Sequence, residues 1–165
     1  MIAMRICGLA TLHAQQAFGA DEMVTVLSAD SMPDDLRPRW IDPDCHHVFP
    51  FDDVEMPRYP GAPTEAHVAD LVALGSRIAP PGAQTRILIH CAAGVSRSPA
   101  AGFIFACMQR GPGDEATALS QTVDSAESDF VSPNALMVHY ADGLLDRGGE
   151  MVRIVREWKE ANYWA

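Results

Sequence analysis

Apolar residues along this chain fall into short strand-like runs and longer helix-spaced stretches, mixed up to residue 91 and helical alone beyond it. Residues 2–9 and 23–28 (MVTVLS) read as short strands, with a helical turn around residues 14–18 between them. Residues 30–44 hold three prolines and five aspartates and read as a loop with one helical turn. HHVFPF, residues 46–51, reads as a strand entering a loop that Pro57, Pro60, Gly61 and Pro63 punctuate. Thr64 is a candidate N-cap for a helix in which Val68, Leu71, Val72 and Ile78 fall near one face, and Pro80-Pro81-Gly82 ends it. RILIHC, residues 86–91, is short and isoleucine-rich, as suits a strand buried on both faces.

A helix from about residue 97 to 109 follows. Phe103, Ile104, Phe105 and Met108 surround it almost completely, which predicts burial on all sides. Asp114 is expected to cap a second helix reaching about residue 125. Pro133, at the first-turn position, opens a third with Leu136, Met137, Tyr140 and Leu144. After Gly148-Gly149 a last amphipathic helix carries Met151, Val155 and Trp158. The mixture predicts the α/β class, as a single domain with a central mixed sheet of about four or five strands flanked by helices. The main domain is expected over residues 1–147. Residues 148–165 are expected to form a helix packed on that domain or on a partner subunit, with Trp158, Tyr163 and Trp164 serving the packing.

The length of 165 residues suits one domain with a proper core. Net charge is −10, with a single lysine, Lys159, among twelve basic residues. Such an acidic body gives no support to nucleic-acid binding, which needs a basic footprint. It also repels phosphorylated molecules at long range, so any phosphate site must be built locally. The longest unbroken apolar stretch, residues 100–108, falls far short of the ~20 residues that cross a bilayer. The N-terminal residues, interrupted by Arg5, lack the layout of a signal peptide, so a cytoplasmic protein without membrane partners is expected. Cys7, Cys45, Cys91 and Cys107 are widely spaced with no Cys-x-x-Cys pair, which argues against a disulfide framework and against a zinc site.

The informative stretch is HCAAGVSRS, residues 90–98, between the buried strand and the buried helix. A helix N-terminus offers unpaired backbone N–H groups and a positive dipole end. A turn containing Gly94 lets successive amides of Ala92, Ala93, Gly94, Val95, Ser96 and Arg97 converge as an anion-binding nest. Arg97 can present a planar, two-pronged contact to phosphate oxygens. Cys91 then sits in the positive field that favours a thiolate. A chain of this composition gives a Cys-x5-Arg spacing by chance about 0.27 times, and about 0.0007 times once the His and Gly are required.

These residues resemble the His-Cys-x-x-Gly-x-x-Arg-Ser/Thr signature of the protein tyrosine and dual-specificity phosphatases. The resemblance implies a dual-specificity-phosphatase-like fold with Cys91 as nucleophile and Arg97 as ligand of substrate and transition state. It implies that Ser98 assists departure of the thiolate and that His90 sets its environment. FPFDD, residues 49–53, resembles the acid-bearing loop of small dual-specificity enzymes, notably the phosphatases of regenerating liver. That likeness implies a general acid at Asp53, with Asp52 as the alternative. The Pro133-Asn134 helix start also resembles these enzymes, so the similarity spans about residues 45–146. The aspartates lie 38 and 39 residues before Cys91, more than is usual, and EMPRYPG is the expected insertion. No phosphotyrosine-clamping loop is recognisable, and Ala92, Ala93 and Val95 stand where phosphoinositide phosphatases resemble one another in carrying lysines.

The expected activity is a phosphomonoester hydrolase with a phosphocysteine intermediate and no metal or cofactor. Its expected partner is a phosphorylated protein or small phosphomonoester, with oligomeric state open. Alternatives are a non-catalytic phosphate-binding module, an RNA 5′-phosphatase of the same fold, and a rhodanese-like sulfur transferase. Cys7 and Cys107 read as packing residues, Cys45 as a candidate disulfide partner for Cys91, and Arg58 as a candidate substrate contact. His46, His47, His67 and His139 lack ligand-like spacing.

Overall fold

The computed structural model describes residues 1–163. RILIHC forms β4 (Arg86–Cys91), and five of its six residues are buried because it lies inside the sheet with a layer on each face. β1 (Ala3–Gly8) flanks it on one side; β2 (Glu22–Leu27) and then β3 (His46–Pro50) lie on the other, giving the order β1-β4-β2-β3. The expected α/β sheet flanked by helices is present, with four strands. All its pairings are parallel rather than mixed. The reason lies in the connections. The 3-10 segment Leu9–Phe18, the loop of residues 28–45 and α1 (Glu65–Ile78) each return the chain to the amino end of the sheet, so no tight hairpin forms.

Alternation along the strands sends side chains to two cores. Ile6, Val24, Val26, Ile87, Ile89 and Cys91 face the larger one, where α2 (Arg97–Arg110) supplies Phe103, Ile104 and Phe105. α2 is buried from Arg97 through Cys107, as its all-round apolar surface predicts. Cys7, Met23, Leu27 and Leu88 face the smaller core, closed by Leu12, Leu36 and Ile41. Thr64 caps α1 reciprocally with His67: its Oγ1 accepts the His67 N–H at 3.2 Å, and its own N–H donates to His67 Nδ1 at 3.2 Å. Val68, Leu71 and Ile78 are buried on this helix, joined by Leu74 and Gly75, while Val72 only partly meets the core.

Two expected helix starts are corrected. Asp114 precedes α3 (Glu115–Ser125), but its side chain caps nothing. Glu115 instead folds back to accept the Gly113 N–H at 2.9 Å. α4 (Ala135–Leu144) begins two residues beyond Pro133, because Asn134 is the cap and accepts the Met137 N–H at 3.1 Å. An amide oxygen can satisfy an orphan N–H, which proline merely lacks.

α5 (Glu150–Tyr163) lays Met151 and Val155 onto the large core. Trp158 is partly buried and donates its indole N–H to the Val131 carbonyl at 3.0 Å, and the Tyr163 ring meets that of Phe130 at 4.3 Å. Trp164 lies outside the described residues. No helix among the described residues is long and apolar enough to cross a membrane.

Arg147, between α4 and α5, is paired with Glu115 at 2.7 Å, and both side chains are buried. Its second amino group donates to the Cys107 carbonyl at 2.8 Å, so one guanidinium ties the end of α2 to the start of α3. Arg147→Ala leaves a buried carboxylate uncompensated and should lower stability by about 3–5 kcal/mol. Urea unfolding at unchanged m-value reads this, and a loss under about 1 kcal/mol would show that solvent already reaches the pair.

Candidate active site

β4 ends at Cys91, which is 2 % exposed, and the chain turns through residues 92–96 into α2. Gly94 has φ of 74°, and a Cβ there would stand 2.7 Å from the Cys7 carbonyl carbon and 2.8 Å from the Gly8 nitrogen. Both the left-handed backbone and the close approach require glycine. The Leu9 N–H donates to the Ala92 carbonyl at 3.0 Å, so the end of β1 supports the turn from below. The Cys91 sulfur accepts the Gly94 N–H at 3.3 Å and the Ser98 hydroxyl at 3.1 Å. The N–H groups of residues 92, 93, 95 and 96 donate to no acceptor among the described residues.

Arg97 opens α2 and is 5 % exposed. One guanidinium nitrogen donates to the Phe51 carbonyl at 2.8 Å and lies 3.4 Å from the Ser28 hydroxyl. Its Nε is buried and has no partner among the described residues. The same side chain thus reaches from the Cys91 turn to the loop that carries the two aspartates.

That loop leaves β3 through Phe51, which is buried and stacks on His67 at 5.2 Å. The Asp52 N–H donates to the Gly61 carbonyl at 2.7 Å and closes the excursion between them. EMPRYPG therefore forms its exposed tip, with Met56, Arg58 and Tyr59 in solvent. Asp53 turns toward the Cys91 loop. Its Oδ1 accepts the Ser96 hydroxyl at 2.7 Å and the Asn134 amide at 2.9 Å. Asp52 turns the other way, so close to Gly61 that a Cβ there would lie 2.2 Å from its Oδ2. Asp53, Val54, Glu55, Met56, Tyr59 and Ser96 line an open cleft of about 570 Å³ beside this contact.

His90 points to the opposite face of β4 from Cys91. Its Nε2 lies 2.7 Å from the hydroxyl of Thr25, its partner across β2, and that hydroxyl lies 2.9 Å from Nε2 of His46. Thr25 carries one hydroxyl proton, so at most one imidazole accepts from it and at least one donates to its oxygen. Burial pushes His90 down to about 4, with the Cys91 backbone holding part of the shift back and His46 and His13 adding to it. Burial lowers His46 as well, with Arg37 and His47 contributing.

Cys7 and Cys107 are buried thiols pushed up to about 12 by desolvation. Desolvation and then the neighbouring Glu22, Asp42 and Asp44 raise Cys45. Cys45 precedes β3 at the amino end of the sheet, whereas Cys91 ends β4 at the carboxyl end. The register separates them by roughly 13 Å along the strands and roughly 10 Å across, beyond the ~7 Å that a disulfide tolerates. His47 pairs with Glu22 at 2.8 Å, His67 belongs to the cap of α1, and His139 stays exposed.

The structure thus brings Cys91, Arg97, Ser98 and Asp53 around one turn and leaves Asp52 and Arg58 outside it. Three contributions escape sequence reasoning: the hold of Asn134 on Asp53, that of Ser96 on the same oxygen, and the Thr25–His46 link beneath His90. Each joins residues 21 or more positions apart.

No protein-family model and no curated protein matches the chain. Solved structures do resemble it. Human DUSP28 superposes with a TM-score of 0.61 at 16% identity, covering 86% of this chain and 92% of that one. The PTP-2 phosphatase of Cydia pomonella gives 0.61 at 18% identity, covering 86% and 84%. A mouse putative dual specificity phosphatase complexed with zinc tungstate gives 0.58 at 16% identity, covering 87% and 82%. The chain therefore has the fold of the dual-specificity phosphatases.

The burial of neutral His90 sets a pH dependence whose sign is fixed. Unfolded histidine takes up its proton as pH falls through 6.5, folded His90 only near 4, so stability is lost as pH falls between these values. The slope contributed is at most about 1.4 kcal/mol per pH unit. His90→Gln should flatten this limb in unfolding curves recorded from pH 7 to pH 4, and an unchanged slope would assign it to other groups.

Proposed function

We propose that this chain is a phosphomonoester hydrolase acting through a phosphocysteine at Cys91, with phosphoproteins as its substrate class, hydrolysed at phosphotyrosine alone or with dual specificity for phosphotyrosine and phosphoserine/threonine. One observation carries the reading. The sulfur of Cys91 receives hydrogen bonds from Gly94 and Ser98 at the centre of a turn to which both Arg97 and Asp53 are fastened.

The chemistry follows from that placement. The free amides of the turn and the Arg97 guanidinium supply donors for a tetrahedral oxyanion, and burial of the guanidinium strengthens each contact. The tungstate held by the mouse protein is such an oxyanion. The Cys91 thiolate attacks phosphorus, a sulfur–phosphorus bond forms, and the ester oxygen leaves with its electron pair. Asp53 gives that oxygen its proton. Ser96 and Asn134 both donate to Oδ1, which leaves Oδ2 to carry the transferable proton. Water then attacks phosphorus, Asp53 takes up its proton, and the sulfur departs as thiolate onto the Ser98 hydroxyl and the Gly94 N–H. Inorganic phosphate is the second product.

The thiolate lies beneath a cradle with no lysine in reach of the turn, and Ala92 and Ala93 are exposed where further cations would stand. This favours a phosphate of modest charge over a multiply phosphorylated ring. Met56 and Tyr59 give the adjoining cleft an apolar wall against which an aryl group can pack.

Cys91→Ser should abolish hydrolysis of 4-nitrophenyl phosphate while vanadate or tungstate binding persists, and Arg97→Ala should lose both. Ser98→Ala should slow breakdown of the phosphoenzyme and produce a burst of nitrophenol under rapid mixing. Turnover by Cys91→Ser near the wild-type rate would refute the nucleophile.

Asp53→Ala should slow hydrolysis of an alkyl phosphate by roughly 10²–10⁴-fold, with a much smaller effect on the activated nitrophenyl ester. Asp52→Ala should spare both substrates. Equal losses from the two aspartates on the alkyl ester would remove Asp53 from the role of acid.

A further inference from the structure

The chain has one lysine, and it is among its best-hidden charged residues. Lys159 is 7 % exposed on the inner face of α5, four residues after Val155, which lies in the large core. Val138, Val152 and Val155 line the apolar groove into which its stem runs. Its ammonium pairs with Glu55 at 3.2 Å, its sole carboxylate partner among the described residues. Glu55 lies two positions after Asp53 on the otherwise exposed loop.

The same Glu55 oxygen accepts the Ala135 N–H at the start of α4, at 2.7 Å. Asn134, the preceding residue, donates to Asp53 at 2.9 Å and to the Val54 carbonyl at 3.3 Å. Residues 53, 54 and 55 are thus each gripped in turn. The grip on 53 and 54 comes from the neutral Asn134 amide, joined at 53 by the Ser96 hydroxyl, and that on 55 from a backbone N–H and a charge. Beyond residue 55 the loop makes only local turns until Asp52 and Gly61 close it.

We propose that Lys159 is a positioning residue for the acid loop: through Glu55 it keeps Asp53 held against Ser96 and above Cys91. The proposal rests on the reading of Asp53 as the general acid. The physical ground is an asymmetry of exposure. An exposed pair would contribute little, since water replaces either partner. Here the ammonium is buried in an aliphatic groove, and lifting the loop would leave it unpaired there. The carboxylate is therefore drawn down more strongly than its own half-exposed position suggests. α5 thereby acts on the reaction without touching the reacting atoms.

The test uses the full chain with Lys159→Met, which keeps the stem and removes the charge. Its rate on an alkyl phosphate should fall roughly 10–10²-fold through misplacement of the acid. Its rate on 4-nitrophenyl phosphate should stay within about threefold of wild type, because that leaving group needs little protonation. Lys159→Arg should restore the alkyl rate, and Lys159→Met combined with Asp53→Ala should be no slower than Asp53→Ala alone. Equal losses on both esters, or fully additive losses in the double variant, would overturn the positioning role. Amide hydrogen exchange over residues 52–62 reads the hold without turnover: faster exchange in Lys159→Met supports it, and unchanged exchange overturns it. Wild-type protein that hydrolyses neither ester would defeat the phosphatase reading and with it the positioning of an acid, whatever the exchange shows. Loosened exchange with an intact alkyl rate would defeat only the role of Lys159, while Cys91→Ser still tests the hydrolase.

Discussion

The turn between β4 and α2 rests directly on the end of β1, with Gly94 against the Cys7–Gly8 backbone at a distance that admits no side chain. The two strands are paired in register up to Gly8 and Cys91, so the support arrives at the level of the sulfur. From this contact the rest of the site takes its shape. Gly94 and Ser98 can aim their donors at one sulfur only because the turn cannot sag, and Arg97 begins a helix that is buried along most of its length. The rigidity of the cradle comes from packing around it, which leaves its own N–H groups free for a ligand.

The Asp53 side is built on the opposite principle. Asp53 stands on an exposed loop, and its position depends on polar contacts from the start of α4, from Ser96 and from α5. Polar contacts at a surface open more readily than a packed core. Under the proposed mechanism the reacting groups therefore divide into a fixed half that would bind phosphate and a fastened half that would supply the proton. Arg97 joins them, since its guanidinium holds the Phe51 carbonyl where the acid loop begins. A tetrahedral anion seated at Arg97 would stand beside the root of that loop.

Local pattern carried most of the fold. RILIHC, the apolar surface of α2 and the Thr64 cap could be read because each rests on neighbours within a few positions. The parallel pairing of all four strands could not, because it depends on where long connections land. Asn134 replaced Pro133 as the start of α4 for a related reason: both residues suit a helix start, and only the fold shows which one reaches an amide. At the site, the spacing within HCAAGVSRS was enough to foresee the glycine turn and the arginine at the start of α2. The different placement of Asp52 and Asp53 needed the return of the chain at Gly61, against which the Asp52 carboxylate lies, away from the Ser96 and Asn134 donors that hold Asp53. Cys45 looked available to Cys91 until strand register set the two thiols at opposite ends of the sheet. Glu55 and Lys159 are 104 positions apart, and nothing near either one in sequence points to the other.

Burial of Lys159 also decides what the outside of the molecule is made of. Every other cationic side chain that does not depend on histidine protonation is an arginine, so the folded surface displays guanidinium groups and no lysine ammonium. A guanidinium does not acylate at neutral pH, and it cannot form the isopeptide link that a lysine amine can. Enzymes and reagents that recognise lysine therefore find their target on this chain only after α5 has lifted from the domain. Lysine acylation becomes a report on unfolding rather than a decoration of the native surface.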